Sequence, residues 1–553
     1  MHTSHKTGKR IAPEAATTGN ENLDRLIAAL RAPACYAHAV DTVDLVQTHI
    51  SCVLLAGDYA YKIKKPVDLG FLDFTTLAAR RHYCEEELRL NRRTAPGLYL
   101  DVVAIGGSAA APVLGGGNPV IEYALRMRRF AQDALLERMA RRGALTPQHM
   151  DALASGLAQF HARAERAGLA GPYGSSACIL AQALQNIDQL TALSGPPGRP
   201  DAGRAQTEIA LLARLRDWTV RAHASLAAVF DARKRAGWVR ECHGDLHLGN
   251  IALQEGVPTP FDCIEFSEEL RWIDVIGEVA FVMMDLIDHR LPRLAWRMLN
   301  AYLEASGDYA GTRVLRFYLV YRALVRAKVS SLRAHQAGMA ARRQRDIEHD
   351  SRRHLDLAER LSAQPRSAML IMHGPSGSGK STIARGLAEA LGAVHLRSDV
   401  ERKRLHGLAP LARSGSAPDE GLYAPAASER TYARLEALAR EVLMARYPVI
   451  VDAAFLQRSQ RQRFARLARD SGAGFVIAAC AAAPATLRAR VAQRERAGRD
   501  ASEAGLGVLE RQMAIREAPD ADEAAHTLTL DGERSVGVAE AAALARRLGM
   551  DPP

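Results

Sequence analysis

The sequence predicts an α+β domain followed by an α/β domain whose sheet is parallel. Short β-rich runs come first, and a helical pattern follows after about residue 130; the runs are "HISCVLLAG", "YAYKIKK", "LYLDVVAIG" and "PVIEYALRM". From about residue 366, four strands alternate with amphipathic helices, which is typical of a parallel sheet with helices on both faces. At 553 residues, the chain also exceeds the size that one hydrophobic core usually supports.

The domain boundaries follow from changes in composition. Residues 1–22 are polar and are predicted to form a disordered tail. The first domain is predicted to span 23–362, with a β-rich small lobe to about residue 125 and a helical large lobe after it. Its small lobe includes one helix, "TTLAARRHYCEEELRLNRR". A long charged helix ends near "SAQPRS", where the hydrophobic strand "AMLIMHG" begins, so the second domain is predicted to span 363–553.

The chain carries 73 basic and 62 acidic residues, a formal charge of +11. Basic residues alternate with acidic ones on the predicted helices, which favours solvated helix faces over a stripe that binds nucleic acid. The seven cysteines include no CxxC pair, so neither a zinc site nor a disulfide framework is expected. The N-terminus has no signal-peptide pattern and no long apolar run occurs, so we expect a cytoplasmic protein without membrane contact. The sequence leaves the oligomeric state open.

The strongest motif in the sequence is "HGPSGSGKST" at 373–382. It satisfies GxxxxGK[ST] between a predicted strand and a predicted helix, the context that a phosphate-binding loop requires. Glycines allow backbone N–H groups to surround a phosphate, Lys380 adds a cation, and the Ser381 hydroxyl is suited to bind Mg²⁺. The motif predicts ATP and Mg²⁺ binding by Gly374, Pro375, Ser376, Gly377, Ser378, Gly379, Lys380, Ser381 and Thr382.

Residues 366–553 resemble the P-loop kinases that act on small molecules or on polynucleotide 5′ ends. In "RSDVERKRL", the resemblance makes Asp399, at the end of the second strand, the base that accepts the proton of the attacking hydroxyl, and Arg402 the substrate anchor. Asp452 in "YPVIVDAAF" follows a strand as a Walker-B acid does and is expected to act on Mg²⁺. The stretch "LRARVAQRERAGRDASEA" resembles the lid of these kinases, and Arg494 and Arg499 are its candidate catalytic arginines.

A second motif, "HGDLHLGN" at 243–250, precedes the first by more than a hundred residues. Asp245 and Asn250 are five residues apart, as in the HxDxxxxN loop of protein-kinase-like folds. The glycine after His243 and the second histidine at His247 make the loop similar to those of aminoglycoside phosphotransferases and choline kinases. The resemblance covers about 40–330 and implies that Asp245 is the catalytic base and that Asn250 binds a metal ion.

The same resemblance requires a second metal-binding acid, and "PFDCIEF" offers Asp262 and Glu265. Both are candidate metal ligands, with a lean towards Asp262 because of its residue type and spacing. Three residues apart on a predicted strand, they should point to opposite faces.

The resemblance also requires a lysine for the nucleotide phosphates and a glutamate that pairs with it. The predicted strand "YAYKIKK" presents Lys62 and Lys64 on one face, and the following helix offers Glu86 and Glu87 as the partner. Lys62, Lys64 and Glu86 are therefore taken as candidate nucleotide-binding residues. No GxGxxG precedes Lys62; the corresponding text is "QTHISCVLLAGD".

The combination resembles bacterial proteins in which an aminoglycoside-phosphotransferase-like domain is fused to a P-loop kinase-like domain. It implies an ATP-dependent phosphotransferase with two kinase-like modules, each transferring the γ-phosphoryl group to a hydroxyl of a small molecule. One alternative is a regulatory ATP-binding protein whose N-terminal module is a sensor or pseudokinase. A second is a polynucleotide 5′-hydroxyl kinase activity of the C-terminal domain, so a nucleic-acid partner stays open without being favoured.

Overall fold

The computed structural model describes residues 13–70, 72–194, 202–335, 340–364, 366–416, 420–497, 500–534 and 537–550. By its internal contacts the chain divides into two compact units. The first contains the residues up to Leu145 together with Ala164–Arg166 and Arg240–Ile273, and the second contains the rest. The predicted boundary between 362 and 363 therefore lies inside the second unit.

The first unit is built on a six-stranded sheet with the strand order β1-β2-β3-β6-β4-β5, in which every neighbouring pair is antiparallel. Helix α2 packs against strands β4 and β6. A later hairpin, β8–β9, follows the loop "HGDLHLGN". The elements are α1 (Pro13–Leu30), β1 (Val43–Gln47), β2 (Ser51–Ala56), β3 (Tyr59–Lys64), α2 (Leu77–Asn91), β4 (Tyr99–Gly107), β5 (Pro112–Leu114), β6 (Val120–Arg128), α3 (Leu136–Arg141), β8 (Ile251–Gln254), β9 (Val257–Pro260) and α7 (Glu268–Arg271).

Helix α1 corrects the predicted tail. The tail was predicted to reach residue 22, but the helix already begins at Pro13, and residues 1–12 lie outside the described residues. Leu23, Leu26, Ile27 and Leu30 recur at helical spacing and are buried against the sheet. Burial of this apolar stripe stabilises the helix, which then extends into the polar residues before it.

The second unit begins with a group of helices. Helix α8 is buried at nearly every position, as its sequence "VIGEVAFVMMDLID" predicts. Short strands β7 (Val239–Glu241) and β10 (Trp272–Asp274) lie where the chain passes between the units. The helices are α4 (Pro147–Arg163), α5 (Ser176–Leu193), α6 (Ala202–Arg235), α8 (Val275–Asp288), α9 (Pro292–Ser306), α10 (Thr312–Ala334) and α11 (Ala341–Ser362).

The remainder of the second unit contains a five-stranded parallel sheet with the order β12-β13-β11-β14-β15. All six residues of the central strand β11 are buried, as expected of a strand covered on both faces. The strands are β11 (Ala368–His373), β12 (Val394–Arg397), β13 (Val449–Asp452), β14 (Gly474–Ala481) and β15 (Thr527–Asp531). The helices are α12 (Lys380–Leu391), α13 (Ser398–Leu405), α14 (Pro425–Met444), α15 (Arg458–Asp470), α16 (Pro484–Ala497), α17 (Leu506–Ile515), α18 (Ala521–Ala524) and α19 (Val538–Arg547).

The predicted fold class is confirmed. An α+β part with an antiparallel sheet precedes an α/β part with a parallel sheet. The four strands predicted after residue 366 are present, and β15 adds a fifth that the sequence analysis did not identify. Because the carboxyl ends of β11, β12 and β13 meet at one edge, the loops after them converge on one place.

Within the described part of the chain, which includes all seven cysteines, no disulfide is formed. None of the helices found among the described residues is long and apolar enough to cross a membrane.

Candidate active sites

The P-loop turns between β11 and α12, as its sequence predicts. Gly374, Gly377 and Gly379 have φ angles of 143°, 82° and 86°, which side chains rarely adopt. A β-carbon on Gly379 would lie 2.5 Å from the carbonyl oxygen of Gly532, so this position has no room for one. Helix α12 begins at Lys380, and no side chain caps its N-terminus, so its first backbone N–H groups suit an anion such as a phosphate.

Lys380 and the metal-binding candidates lie at the start of α12 and the end of β13. The ammonium group of Lys380 donates a hydrogen bond to the carbonyl oxygen of Pro375 at 2.7 Å, and burial lowers the pKa of the lysine. The Ser381 hydroxyl is hydrogen-bonded to the carboxylate of Asp452. Burial alone would raise the pKa of Asp452, but its bonds with His395 and Ser381 lower it to about 2. Asp452 is therefore ionised, and its oxygens and that of Ser381 suit Mg²⁺.

The candidate base and substrate anchor lie together on α13. Asp399 was predicted at the end of a strand, but β12 ends at Arg397 and Asp399 is the second residue of the helix. Arg402 follows one turn later and donates to the Asp399 carboxylate at 2.6 Å. The guanidinium of Arg402 also lies 5.3 Å from the ring centre of Tyr423. No motif in the sequence indicated a role for this tyrosine.

These groups open into one cavity of about 730 Å³. Its walls include the P-loop, Asp399 at the start of α13, Asp452 at the end of β13, and helices α16 and α17. A cavity of this size holds a ligand as large as a nucleotide. The predicted residues that line it are Ser376, Gly377, Gly379, Lys380, Ser381, Thr382, Asp399, Arg402, Asp452 and Arg494.

Helix α16, which contains most of the stretch that resembles a lid, contributes two arginines to the cavity, Arg490 and Arg494. Arg490 donates to the carbonyl oxygens of Gly532 at 2.7 Å and Gly377 at 3.3 Å, and Arg494 donates to that of Ala504 at 2.7 Å. Arg499 lies outside the described residues. The sequence analysis did not select Arg490, although a spacing of four residues places it on the same helix face as Arg494.

In the first unit, the loop "HGDLHLGN" brings its predicted catalytic residues together. His243 is buried and its Nε2 atom donates to the carbonyl oxygen of Phe261 at 2.8 Å, which fixes the loop to the residue after β9. The side-chain amide of Asn250 donates to the backbone oxygen of Asp245 at 3.0 Å and to its carboxylate at 3.2 Å. The Asp245 side chain is 37% exposed, so it can be reached by a substrate.

The candidate lysines and acids form one network. Lys62 contacts Glu87 at 2.7 Å and Asp262, and Lys64 contacts Glu87 at 2.7 Å and Glu265. Both lysines lie on the same face of β3, as predicted, and Glu87 on α2 bridges them. The two ends of the network differ in exposure. The side chains of Lys64 and Glu265 are 1% and 4% exposed, whereas those of Lys62 and Asp262 are 12% and 43% exposed.

Of the two candidate partners of the lysines, Glu86 and Glu87, it is Glu87 that contacts them, and Glu86, which was taken as a candidate nucleotide-binding residue, does not. Glu86 instead pairs with Arg89 at 2.9 Å on the outer side of α2. Glu87 shares the buried face with Cys84 and Asn91, three residues before it and four after. This helical periodicity was the signal available in the sequence.

The expectation that Asp262 and Glu265 point to opposite faces is also wrong. Strand β9 ends at Pro260, and Asp262 has a φ angle of +63°, so the segment between the two acids is not a strand. The backbone N–H of Asp262 donates to the Tyr99 hydroxyl at 3.0 Å, and that of Cys263 to the Asn91 side chain at 2.9 Å. These two contacts, which sequence reasoning missed, hold the turn so that both carboxylates reach lysines of β3.

The electrostatics favour different tasks for the two acids. Burial would raise the pKa of Glu87, but the two ammonium groups lower it to about 2, so Glu87 is ionised. Burial would lower the pKa of Lys62, and the carboxylates of Asp262 and Glu87 instead raise it well above its usual value. Glu265 is enclosed with Lys64, which leaves the exposed carboxylate of Asp262 as the one suited to bind a metal ion.

Known proteins resemble this chain in sequence and in structure. A family model described as "AAA domain" matches residues 369–519, which include the P-loop, Asp399 and Asp452. The uncharacterized protein Rv2004c of Mycobacterium tuberculosis (strain ATCC 25618 / H37Rv) is 31% identical over 510 residues, 91% of this chain and 97% of that protein. The chain belongs to the same family as this mycobacterial protein.

Two solved kinases are similar to parts of the chain. A Plasmodium vivax ethanolamine kinase is 11% identical with a TM-score of 0.40, over 63% of this chain and 95% of that one. A gluconokinase from Sinorhizobium meliloti 1021 is 22% identical with a TM-score of 0.24, over 33% of this chain and 94% of that one.

Proposed function

We propose that the chain is an ATP-dependent phosphotransferase with two kinase-like modules, each of which phosphorylates a hydroxyl group. The observation that carries the proposal is the cavity of the P-loop site. Five candidate residues line this one cavity: Lys380, Ser381, Asp399, Arg402 and Asp452. In phosphoryl transfer the protein mainly positions the reactants and stabilises charge, and these residues supply both functions.

In the P-loop module, the loop N–H groups and Lys380 hold the phosphates of ATP, and Ser381 and Asp452 hold Mg²⁺. The ion, when bound, neutralises phosphate charge. Asp399 accepts the proton of the acceptor's hydroxyl group. At the same time the hydroxyl oxygen forms a bond to the γ-phosphorus of ATP, and the bond between that phosphorus and ADP breaks. Arg402 orients Asp399, and Arg494 stabilises negative charge on the transferred group.

In the N-terminal module, Lys62 binds the nucleotide phosphates and Glu87 orients it, while Asn250 and Asp262 hold the metal ion. Asp245 takes the hydroxyl proton. The turn between β1 and β2 replaces the glycine-rich loop that the sequence lacks. In this turn, the backbone N–H of Ser51 donates to the Thr48 hydroxyl at 3.0 Å, which closes it without a glycine.

The test is a screen for phosphoryl transfer from labelled ATP to sugars, amino alcohols, nucleosides and oligonucleotides. The full chain is compared with Lys380→Ala and Asp245→Asn. We expect each variant to lose one set of labelled products and to keep the other, so that each serves as the control for the other. A full chain that labels no acceptor contradicts the proposal. Loss of all products in Lys380→Ala alone identifies the N-terminal module as a sensor or pseudokinase, and labelled oligonucleotide 5′ ends identify a polynucleotide kinase.

A further inference from the structure

Helix α9, which precedes the predicted P-loop domain, contacts one edge of that domain's sheet. Strand β12 is one of the two edge strands of the sheet, the other being β15. The side-chain amide of Asn300 donates to the carbonyl oxygen of Ala393 at 2.9 Å and accepts from the backbone N–H of His395 at 2.8 Å. One side chain thus makes the pair of hydrogen bonds that a neighbouring strand would make, and it covers the edge. Helix α9 therefore fixes the strand that leads into the P-loop site.

The same strand ends at Arg397, whose side chain lines the cavity beside Asp399. Its Nη1 atom donates to the carboxylate of Glu304 on α9 at 2.8 Å, and its Nη2 atom lies 3.7 Å from the carboxylate of Asp500. The Arg397 side chain is 12% exposed and that of Glu304 is 29% exposed. The guanidinium is thus held between two carboxylates within the cavity wall.

We propose that Arg397 is a further substrate-contacting residue of the P-loop site, which binds the transferring phosphoryl group from the acceptor side, and that Glu304 positions it. This inference rests on the proposed function. A guanidinium has five N–H donors in a fixed plane, so the one bonded to Glu304 leaves others for phosphate oxygens. A partly buried cation fixed near the site's carboxylates stabilises charge that develops there without reorganising.

Glu304 matters because Arg397 has competing partners in the cavity. The Asp500 carboxylate lies 3.7 Å from the guanidinium, and the carboxylates of Asp452 and Asp399 also interact with it electrostatically. Without the bond to Glu304, the long side chain would turn towards these acids, and a contact with Asp399 would occupy the candidate base. The carboxylate on α9 therefore keeps the cation available to the phosphoryl group and the base available to the hydroxyl. A complete P-loop site requires a helix that lies outside 363–553.

The structure offers a matched control for Glu304→Gln. Glu389 on α12 accepts from Arg297, which is also on α9, at the same distance of 2.8 Å, but Arg297, unlike Arg397, does not line the cavity. Both variants remove one ion pair between α9 and the P-loop part. If Glu304 acted only in packing the helix, Glu389→Gln would have the same consequence.

The experiment uses the full chain carrying Lys62→Met, which should silence the N-terminal module, as the parent of every variant. Three measurements report the P-loop site: ATP turnover, the Kd for MgADP, and the capture of MgADP in the presence of aluminium fluoride, which mimics a transferring phosphoryl group. For Glu304→Gln, we expect turnover and fluoride-dependent capture to fall at least 10-fold, with the Kd for MgADP within 2-fold of the parent, as for an interaction made in the transition state. Arg397→Ala should lose as much turnover and fluoride-dependent capture as Glu304→Gln. The double variant of both substitutions should lose no more than Arg397→Ala, because the two residues act as one unit. Glu389→Gln should stay within 2-fold in all three measurements.

The outcomes separate this inference from the proposed function. If Glu304→Gln and Glu389→Gln behave alike, or if the losses of Glu304→Gln and Arg397→Ala multiply in the double variant, the positioning role is wrong while turnover stands. If the parent neither turns over ATP nor captures MgADP, both the proposed function and this inference are overturned. Lys380→Ala tests the proposed function alone, since it should abolish MgADP binding at the P-loop site whatever Glu304 does.

Discussion

The lysine network of β3 predicts that two neighbouring lysines have different tasks, and substitution by methionine tests this. Lys64→Met leaves Glu265 without its partner in a buried environment and leaves Glu87 with one ammonium group instead of two. Lys62→Met also removes a contact to Glu87, but Lys64 still neutralises that carboxylate, and the other partner, Asp262, is 43% exposed. We expect Lys64→Met to reduce stability and Lys62→Met to remove nucleotide binding by the N-terminal module.

The expected loss of stability in each variant depends on how exposed the broken ion pair is to solvent. Breaking a buried ion pair by removing one partner costs about 3–5 kcal/mol, which applies to Lys64 at 1% exposure. The ammonium of Lys64 also lies 5.0 Å from the ring centre of Phe74, a contact that adds roughly 0.5–1 kcal/mol. The pair of Lys62 with Asp262 is half in solvent and contributes about 1 kcal/mol or less. The predicted difference between the two variants is therefore about 3 kcal/mol.

Hydrogen exchange of the β3 amides in the full chain measures this difference, because it reports the opening of the first unit by itself. Binding of a fluorescent ATP analogue to a Lys380→Ala background reports the N-terminal site alone. The expected result is faster exchange in Lys64→Met and lost binding in Lys62→Met. The reasoning is refuted if Lys62→Met destabilises β3 as much as Lys64→Met, or if it binds the analogue as the parent does.

Three further predictions concern single residues. Gly379→Ala should abolish nucleotide binding by the P-loop, because the β-carbon would meet the Gly532 carbonyl at 2.5 Å; a thermal shift with MgATP tests this. Burial lowers the pKa of His373 to about 4, and its Nε2 atom accepts from Arg516 at 3.3 Å. In the unfolded chain the His373 imidazole is protonated near pH 6.5, whereas in the folded chain it is protonated only near pH 4. The free energy of unfolding should therefore fall by at most about 3 kcal/mol as the pH falls from 6.5 to 4, and urea titrations measure this fall. Asp262→Asn should weaken Mg²⁺-dependent nucleotide binding by the first unit while leaving its thermal stability nearly unchanged, since the side chain is 43% exposed.

Each of these has a matched control. Gly407 also has a positive φ, 68°, but nothing lies within 4 Å of its added β-carbon, so Gly407→Ala should bind MgATP normally. In His373→Asn, the free energy of unfolding should fall less steeply between pH 6.5 and 4. If it falls as steeply as in the wild type, the pH dependence comes from other titratable groups. Asp101, 46% exposed and paired with Arg126 at 2.6 Å, is the control for Asp262; equal loss of binding in Asp101→Asn would contradict the metal role.

The sequence predicted the elements whose signals are local. The P-loop is read from consecutive residues, since glycines with positive φ and a lysine at the start of a helix are properties of the loop itself. Strands such as β11 and β14 were recognised because strands buried on both faces are continuous apolar runs. Strand β15, "TLTLD", was missed because it is short and lies at the edge of the sheet, where polar residues alternate with apolar ones.

The parts that sequence reasoning could not assign depend on partners far along the chain. Glu87 pairs with lysines more than twenty residues earlier, and Asp262 pairs with Lys62 across 200 residues. Nothing near "PFDCIEF" indicates that Tyr99 holds the turn at Asp262, so the segment reads as a strand. The role of Arg397 could not be predicted for the same reason, because its partner Glu304 lies in a different predicted domain.

The charge count of the lysine network explains why the N-terminal site should depend on its metal ion. Lys62 and Lys64 face three carboxylates, from Glu87, Asp262 and Glu265, so the group carries one more acid than base. The excess lies at the exposed end, where Lys62 bonds to Asp262 and its ammonium is shared between two carboxylates. A phosphate can take that ammonium only if another cation replaces it at Asp262. A divalent ion at Asp262 would satisfy the carboxylate and direct Lys62 to the nucleotide, so binding of the ion and of the phosphates should be mutually dependent.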